Sequence, residues 1–462
     1  MTCFSKIIDM TIIIEYADIM KKTLLFYPAI FILTAVVCLL FMLGAAMIPQ
    51  EAVQANAKQS AQYFKEHELF EMEAGDLVNF KKDNYADCIS TGIAYHLGNG
   101  NVWTAVISAD YNSVADENVN DSFYREMNGE TVETESYARY WHGSAGLIRL
   151  LMVCMDIQTI RYVITAAGIL LNGTATIVLM RKGHKALGIL YTFSFLLVNG
   201  IFGLNCLEYA FIFLLMPLAV MFLVQNKKMV EGKYVPLAFM VIGMLTAYFD
   251  FLTAETLTFT VPFAIYYIAV WNANKTNSHK DKKNADWLFL LRSGVSWCTG
   301  YGGMFLLKWL LAWATLGRDA LLTAADMAME RISGDVSLTL NMAGQEATFL
   351  QRIAGIWQRN TGCLLWGRLD MTPTTLIMIT AVVILVPGIF WYMARKQKAS
   401  YDKAGVLIAV AFLPYLRFLV LSNHSFIHYF FTYRAQMVTV LIGLYLIYRT
   451  TILSEPKKKG KK

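Results

Sequence analysis

An all-α fold is expected, a polytopic transmembrane helical bundle of about ten spans with a large first external loop. Three observations predict it. The chain of 462 residues is 56% hydrophobic and only 16% charged, with a mean hydropathy of +0.44, where a soluble domain carries about 25% charged residues. Its apolar runs are long enough to cross a bilayer and recur along most of the chain. Its basic clusters fall between those runs on one side only. The formal net charge of +6 is sorted by membrane side, so it does not suggest nucleic acid. Zinc-type cysteine pairs, a P-loop and a glycine-rich dinucleotide turn are all missing from the sequence.

In chain order, residues 1–22 read as a cytoplasmic interfacial segment, with Ile7, Ile8, Ile12, Ile13 and Ile14 among Asp9, Glu15 and Asp18. Residues 23–49 form the first span, an uncleaved anchor preceded by Lys21 and Lys22. Residues 50–144 form an external loop domain with sixteen Asp and Glu against six Lys and Arg. A transmembrane bundle over 145–315 holds spans near 158–180, 186–203, 206–225, 234–250, 255–272 and 287–315. Residues 316–373 form a second external loop with amphipathic helices at Asp319–Ile332 and Ala347–Trp357. The bundle resumes over 374–449, with spans near 374–394, 404–422 and 429–449. A basic cytoplasmic tail, 450–462, ends the chain.

The count of ten is set by the Lys and Arg clusters. Arg181, Lys182 and Lys185, then Lys227, Lys228 and Lys233, then Lys275, Lys280, Lys282 and Lys283, then Arg395, Lys396, Lys398 and Lys403, all share a side with Lys21, Lys22 and the tail. That side is the cytoplasm, which places both termini there and makes the chain a multi-pass cell-membrane protein. Cys38, Cys154, Cys206 and Cys298 lie in apolar runs and read as small core residues, while Cys88 and Cys363 lie in the two long loops and allow a disulfide.

Candidate chemistry gathers at the external ends. Ser136 to Gly143 holds Tyr137, Arg139, Tyr140, Trp141 and His142, and Arg149 follows. Aromatic rings favour the membrane boundary, and Arg there donates in a planar fork to carboxylate or phosphate. The same stretch also reads as an aromatic belt with snorkelling arginines. Lys308, Arg417 and Arg434 break the positive-inside pattern at similar depth near the outer ends of their spans. An ionisable group there is a functional candidate unless it pairs with Asp250, Glu255 or Glu208 to lock the bundle. Arg139, His142, Arg149, Lys308, Arg417 and Arg434 are therefore candidates for holding an anionic phosphate. In the first loop, Asp83 and Asp87 are four residues apart and share a face if helical. Such a pair can bind a divalent cation or supply a general base, or it is a solvated face.

Together these features resemble the membrane glycosyltransferases of the GT-C type, such as the protein O-mannosyltransferases and the lipid A aminoarabinose transferases. The shared pattern is an inside N-terminus, an acidic first external loop with surface helices, and then a bundle. The Tyr137–Gly143 block with Asn423–Arg434 is also similar to uncharacterised multi-span proteins of Gram-positive bacteria. The GT-C resemblance implies transfer of a sugar from a polyprenyl-phosphate donor to an extracellular acceptor during envelope assembly. It makes Asp83 or Asp87 the catalytic acid, gives the six cations the donor phosphate, and sets Tyr140 and Trp141 to stack on sugar or prenyl chain. It places the acid soon after the first span, whereas Asp83 and Asp87 come some thirty residues later. A transporter or lipid flippase, and a non-catalytic envelope protein, are the other readings.

Overall fold

The computed structural model describes residues 26–230, 232–271, 282–333, 349–365 and 401–453. The expected span at 374–394, the interfacial segment 1–22 and the tail beyond 453 lie outside them. The described chain is helical apart from two short antiparallel ribbons, β1 (Phe70–Met72) with β2 (Lys81–Asp83) and β3 (Asp110–Asn112) with β4 (Thr134–Ser136).

Helix α1 (Phe26–Ala46) leads into a polar segment of four helices: α2 (Gln50–Glu66), α3 (Asn84–His96), α4 (Val102–Ser108) and α5 (Val119–Met127). The sequence sets three of these starts through side-chain caps, which satisfy backbone N–H groups that have no partner within the helix. Asp83 accepts from Ala86 N–H, Asn101 from Thr104 N–H and Asn118 from Asp121 N–H. Helices α6 (Gly143–Met152) and α7 (Ile157–Arg181) follow, the latter capped by Asp156 on Thr159 N–H. Next come α8 (Lys185–Leu197), the turn α9 (Gly200–Gly203), α10 (Leu207–Gln225), α11 (Lys227–Val230), α12 (Val235–Phe249) and α13 (Leu257–Tyr266), which runs into a π-helix to Trp271. The 35-residue α14 (Lys282–Leu316) is followed by α15 (Arg318–Ser333), α16 (Phe349–Leu364), α17 (Tyr401–Val420), α18 (Ser422–Ile427), α19 (Tyr429–Thr432) and α20 (Met437–Leu453).

Among the described residues, four segments are long and apolar enough to cross a membrane: Phe26–Ala46, Ile157–Arg181, Leu207–Gln225 and Tyr429–Arg449. Lys185–Leu197, Val235–Phe249, Leu257–Val270 and Ala404–Val420 are shorter apolar helices. The span expected at 186–203 stops at Leu197. The chain reverses at Asn199, in the left-handed region with φ 53°, and the Asn199 amide donates to Asn79 O.

Two apolar cores organise the molecule. One joins the first polar segment to α1, α6, the start of α7 and α12, and the other fills the bundle from α7 to α20. The 50–144 segment is thus packed into the bundle's first core. Helices α12 and α14 pack backbone against backbone. A Cβ on Gly243 would stand 2.2 Å from Trp297 O, and one on Gly300 2.0 Å from Met240 O. Only glycine lets the two backbones approach this far.

Candidate active site

Asp83 and Asp87 part company in the structure. Asp87, on the first turn of α3, is fully buried. Its Oδ2 accepts from Arg161 Nε at 2.8 Å and Nη2 at 2.7 Å, and its two oxygens also accept the Leu207 and Glu208 N–H groups at the start of α10. Arg161 is completed by Tyr63 Oη at 3.1 Å and Asn84 Oδ1 at 2.9 Å. A fully buried carboxylate engaged by a guanidinium and a helix N-terminus is a latch, since its charge is already paired and it is closed off from solvent. The expectation of Asp87 as base is corrected on that ground.

Asp83 meets the same end of α10 through a side chain rather than through backbone N–H groups. It is 3% exposed, caps α3 through Ala86 N–H, and hydrogen-bonds to the Glu208 carboxyl. Burial pushes Asp83 up to about 6, with the neighbouring Asp87 charge adding to the rise. Glu208 Oε2 is buried with no hydrogen-bond partner, and Asp250 lies within electrostatic range of Glu208. Asp83 and Glu208 thus face each other where the first polar segment meets α10.

Around this pair runs a ring of aromatic and basic side chains. Lys81 lies over the Phe70 and Phe430 rings at 3.9 and 4.3 Å, close to Asp83 and Glu208. Burial holds its ammonium below the usual value, although both acids pull the other way. Tyr85 lies within electrostatic range of Asp83, Glu135 and Arg139. Arg139 covers the Tyr137 ring at 3.9 Å, and Arg139 and Arg331 both act on the buried Tyr140 hydroxyl. Arg331 Nη1 donates to His428 Nε2 at 3.1 Å, and His428 closes the ring by feeling Lys81. Burial, with Arg331 and Arg417 nearby, holds His428 down to about 3, so it is neutral. On the bundle side Tyr301 lies within range of Asp250, Glu255, Tyr140 and Arg417.

The six cations expected at a phosphate do not converge. Arg149 donates to four backbone carbonyls, of Ala45, Ile48, Ala94 and Tyr95, at 2.5 to 3.0 Å. It ties the end of α1 to the end of α3. Lys308 caps α4 through Val106 O and Ile107 O at 3.1 and 2.8 Å. Arg417 pairs with Glu255 at 2.9 Å and donates to Ser425 Oγ and Leu252 O. Arg434 donates to Phe430 O and Asn79 O between the Tyr209 and Tyr433 rings. His142, with φ 57°, donates from Nε2 to Tyr137 O. Burial and Lys308 hold it down to about 3, so it carries no charge for a phosphate. Of the six, Arg139 alone stands on the ring.

The expected stacking residues also separate. Trp141 is 1% exposed, donates to Met304 O at 2.7 Å and packs on Tyr248, so it is a core residue. Tyr140 is packed edge-on by Tyr137, Phe251 and Phe305, which leaves its hydroxyl as the part that reaches the ring. Cys88 and Cys363 are both buried free thiols, so the possible disulfide does not form, and Cys154 and Cys298 are exposed rather than core. Among the described residues no three His, Cys, Asp or Glu are grouped to hold a metal ion.

Glu208, Lys81, Arg331 and His428 were not anticipated as site residues. Glu208 and His428 stood in motifs already noted at span ends, whereas Lys81 and Arg331 look like ordinary loop charges in sequence. Comparison with known proteins finds no matching family model, curated protein or solved structure.

Proposed function

We propose that this chain is a membrane glycosyltransferase that moves a sugar from a polyprenyl-phosphate donor to an extracellular acceptor. In this reading the bundle crosses the membrane about ten times, both termini are cytoplasmic, and the Asp83 ring faces outward. The observation that carries the reading is Asp83 itself, a buried carboxyl held near neutrality beside a second acid and flanked by aromatic and guanidinium groups. A base works best when its pKa lies near the working pH. Asp83 takes the proton of the acceptor hydroxyl as that oxygen attacks the anomeric carbon. The sugar–phosphate bond breaks, and the negative charge left on the carrier is stabilised by arginine. Asp87 and Arg161 act as positioning residues that hold α3 against α10.

The test is transfer of labelled sugar from a polyprenyl-phosphate donor in proteoliposomes. Asp83→Asn should lower the rate by about 10²–10⁴-fold, the usual cost of losing a general base. Unimpaired transfer by that variant would remove Asp83 from the chemistry.

One observation favours a second reading. Two carboxyls hydrogen-bonded to each other must share a proton, as a proton-coupled transporter requires. Proton uptake by the proteoliposomes in the absence of any donor, abolished by Asp83→Asn, would select it.

A further inference from the structure

The ring contains two arginines, Arg139 and Arg331, that make no ion pair among the described residues. The buried Nε of each has no hydrogen-bond partner. Arg417, by contrast, is neutralised by Glu255. Such buried N–H groups normally find an acceptor, and an orphan on a charged group marks where one is missing.

Arg331 is also held deliberately in place. It sits on the last turn of α15, whose terminal carbonyls are taken by α18. Ser422 Oγ donates to Ile332 O at 2.6 Å and the Asn423 amide donates to Glu330 O at 2.9 Å. His428 Nε2 then accepts from Arg331 Nη1. A neutral ring there fixes the guanidinium without cancelling its charge. His424 lies beside His428, ring centroids 4.6 Å apart, and is kept neutral by burial with His428 and Arg417 near it. Arg139 is fixed from the other side by the Tyr137 ring.

We propose that Arg139 and Arg331, which both act on the Tyr140 hydroxyl, form a two-arginine clamp that binds the phosphate of a lipid-linked ligand. Two planar forks and a hydroxyl match the several acceptor oxygens of a phosphate monoester better than the two of a carboxylate. The exposed apolar residues of α15, Leu322, Met329 and Ile332, lie on the helix that carries Arg331 and suit a ligand whose remainder is hydrocarbon. The assignment deepens the transferase reading by naming a place for its donor phosphate. Binding is measured without transfer, so the two can fail separately.

The experiment reconstitutes the full chain in phosphatidylcholine nanodiscs. Phosphatidic acid is titrated by native mass spectrometry, and inorganic phosphate separately by phosphorus NMR. Phosphatidic acid should bind, and Arg331→Gln should weaken it roughly 10- to 100-fold, the cost of losing hydrogen bonds to a charged group. Arg331→Lys, which keeps the charge and loses the fork, should fall between, and Arg181→Gln should match wild type. Dependence on Arg331 for inorganic phosphate alone would keep the clamp and overturn the lipid-linked ligand. Wild-type affinity for both ligands in Arg331→Gln overturns the clamp. If that variant does not fold, wild-type affinity for both in Arg331→Lys does so.

Discussion

Asp83 and Asp87 differ by one turn of helix, and the sequence offers no way to rank them. What separates them is three-dimensional: Arg161 and the backbone N–H groups that start α10, both far along the chain, engage Asp87, while Asp83 meets the Glu208 side chain of the same helix. The buried protonation of Asp83 has a measurable consequence. Folded, it keeps its proton up to about 6, and unfolded it loses it near the ordinary 3.8. Between those values the folded state binds more protons, so this group's contribution to stability falls as pH rises through the window and is recovered on acidification. His428 and His142, held down to about 3, act oppositely, because below the ordinary histidine value of 6.5 the unfolded chain takes up protons that the fold refuses. Comparing Asp83→Asn with wild type isolates the carboxyl. The melting temperature of the variant, relative to wild type, should drop as pH goes from about 7 to about 5. A difference that stays constant over that range would mean Asp83 is already ionised in the fold.

At the scale of the element, the helix starts were legible where a capping residue or an abrupt change in hydropathy marked them. Spans expected at 158–180 and 206–225 appear as Ile157–Arg181 and Leu207–Gln225. The end of the 186–203 run was not legible, because a reversal at Asn199 inside an apolar stretch leaves no trace in hydropathy. Nor was the pairing of α12 with α14, which depends on two glycines some sixty residues apart meeting opposite backbones. Gly300→Val places a Cβ 2.0 Å from Met240 O, a backbone atom that cannot swing aside. The helices must separate, and overpacking of this kind typically costs about 1–3 kcal/mol or more. Gly302 lies two residues on, with nothing within 4 Å of its Cβ position. Gly302→Ala should therefore melt with wild type or slightly above it, since alanine is the better helix former. Equal melting temperatures for Gly300→Val and Gly302→Ala would show that the close approach is not made.

For the whole molecule, composition was enough to announce an apolar helical chain, while the meeting of loop and bundle at one acid pair was not written in any local motif. The cations were misjudged for the same reason. Lys308 and Arg149 break the charge pattern because backbone carbonyls, invisible to composition, need them. The one-sided basic clusters, however, make a topological prediction that the helix directions sharpen. Helices α7 and α10 both begin beside Asp87, through Arg161 and through the Leu207 and Glu208 N–H groups. At 1.5 Å per residue, the 25 residues of α7 extend roughly 37 Å, more than the ~30 Å hydrocarbon core. The turns beyond their far ends, with exposed Lys182 and Lys228, therefore lie at the opposite ends of these helices from Asp87, and exposed Asp116 belongs to the polar segment that carries Asp87. In a protein with its native cysteines replaced, Asp116→Cys should react with an impermeant maleimide on intact cells. Lys182→Cys and Lys228→Cys should react only once the cells are opened. Labelling of Lys182→Cys from outside at the rate of Asp116→Cys would put the basic turns and the Asp83 ring on the same side, and the outward-facing site could not stand.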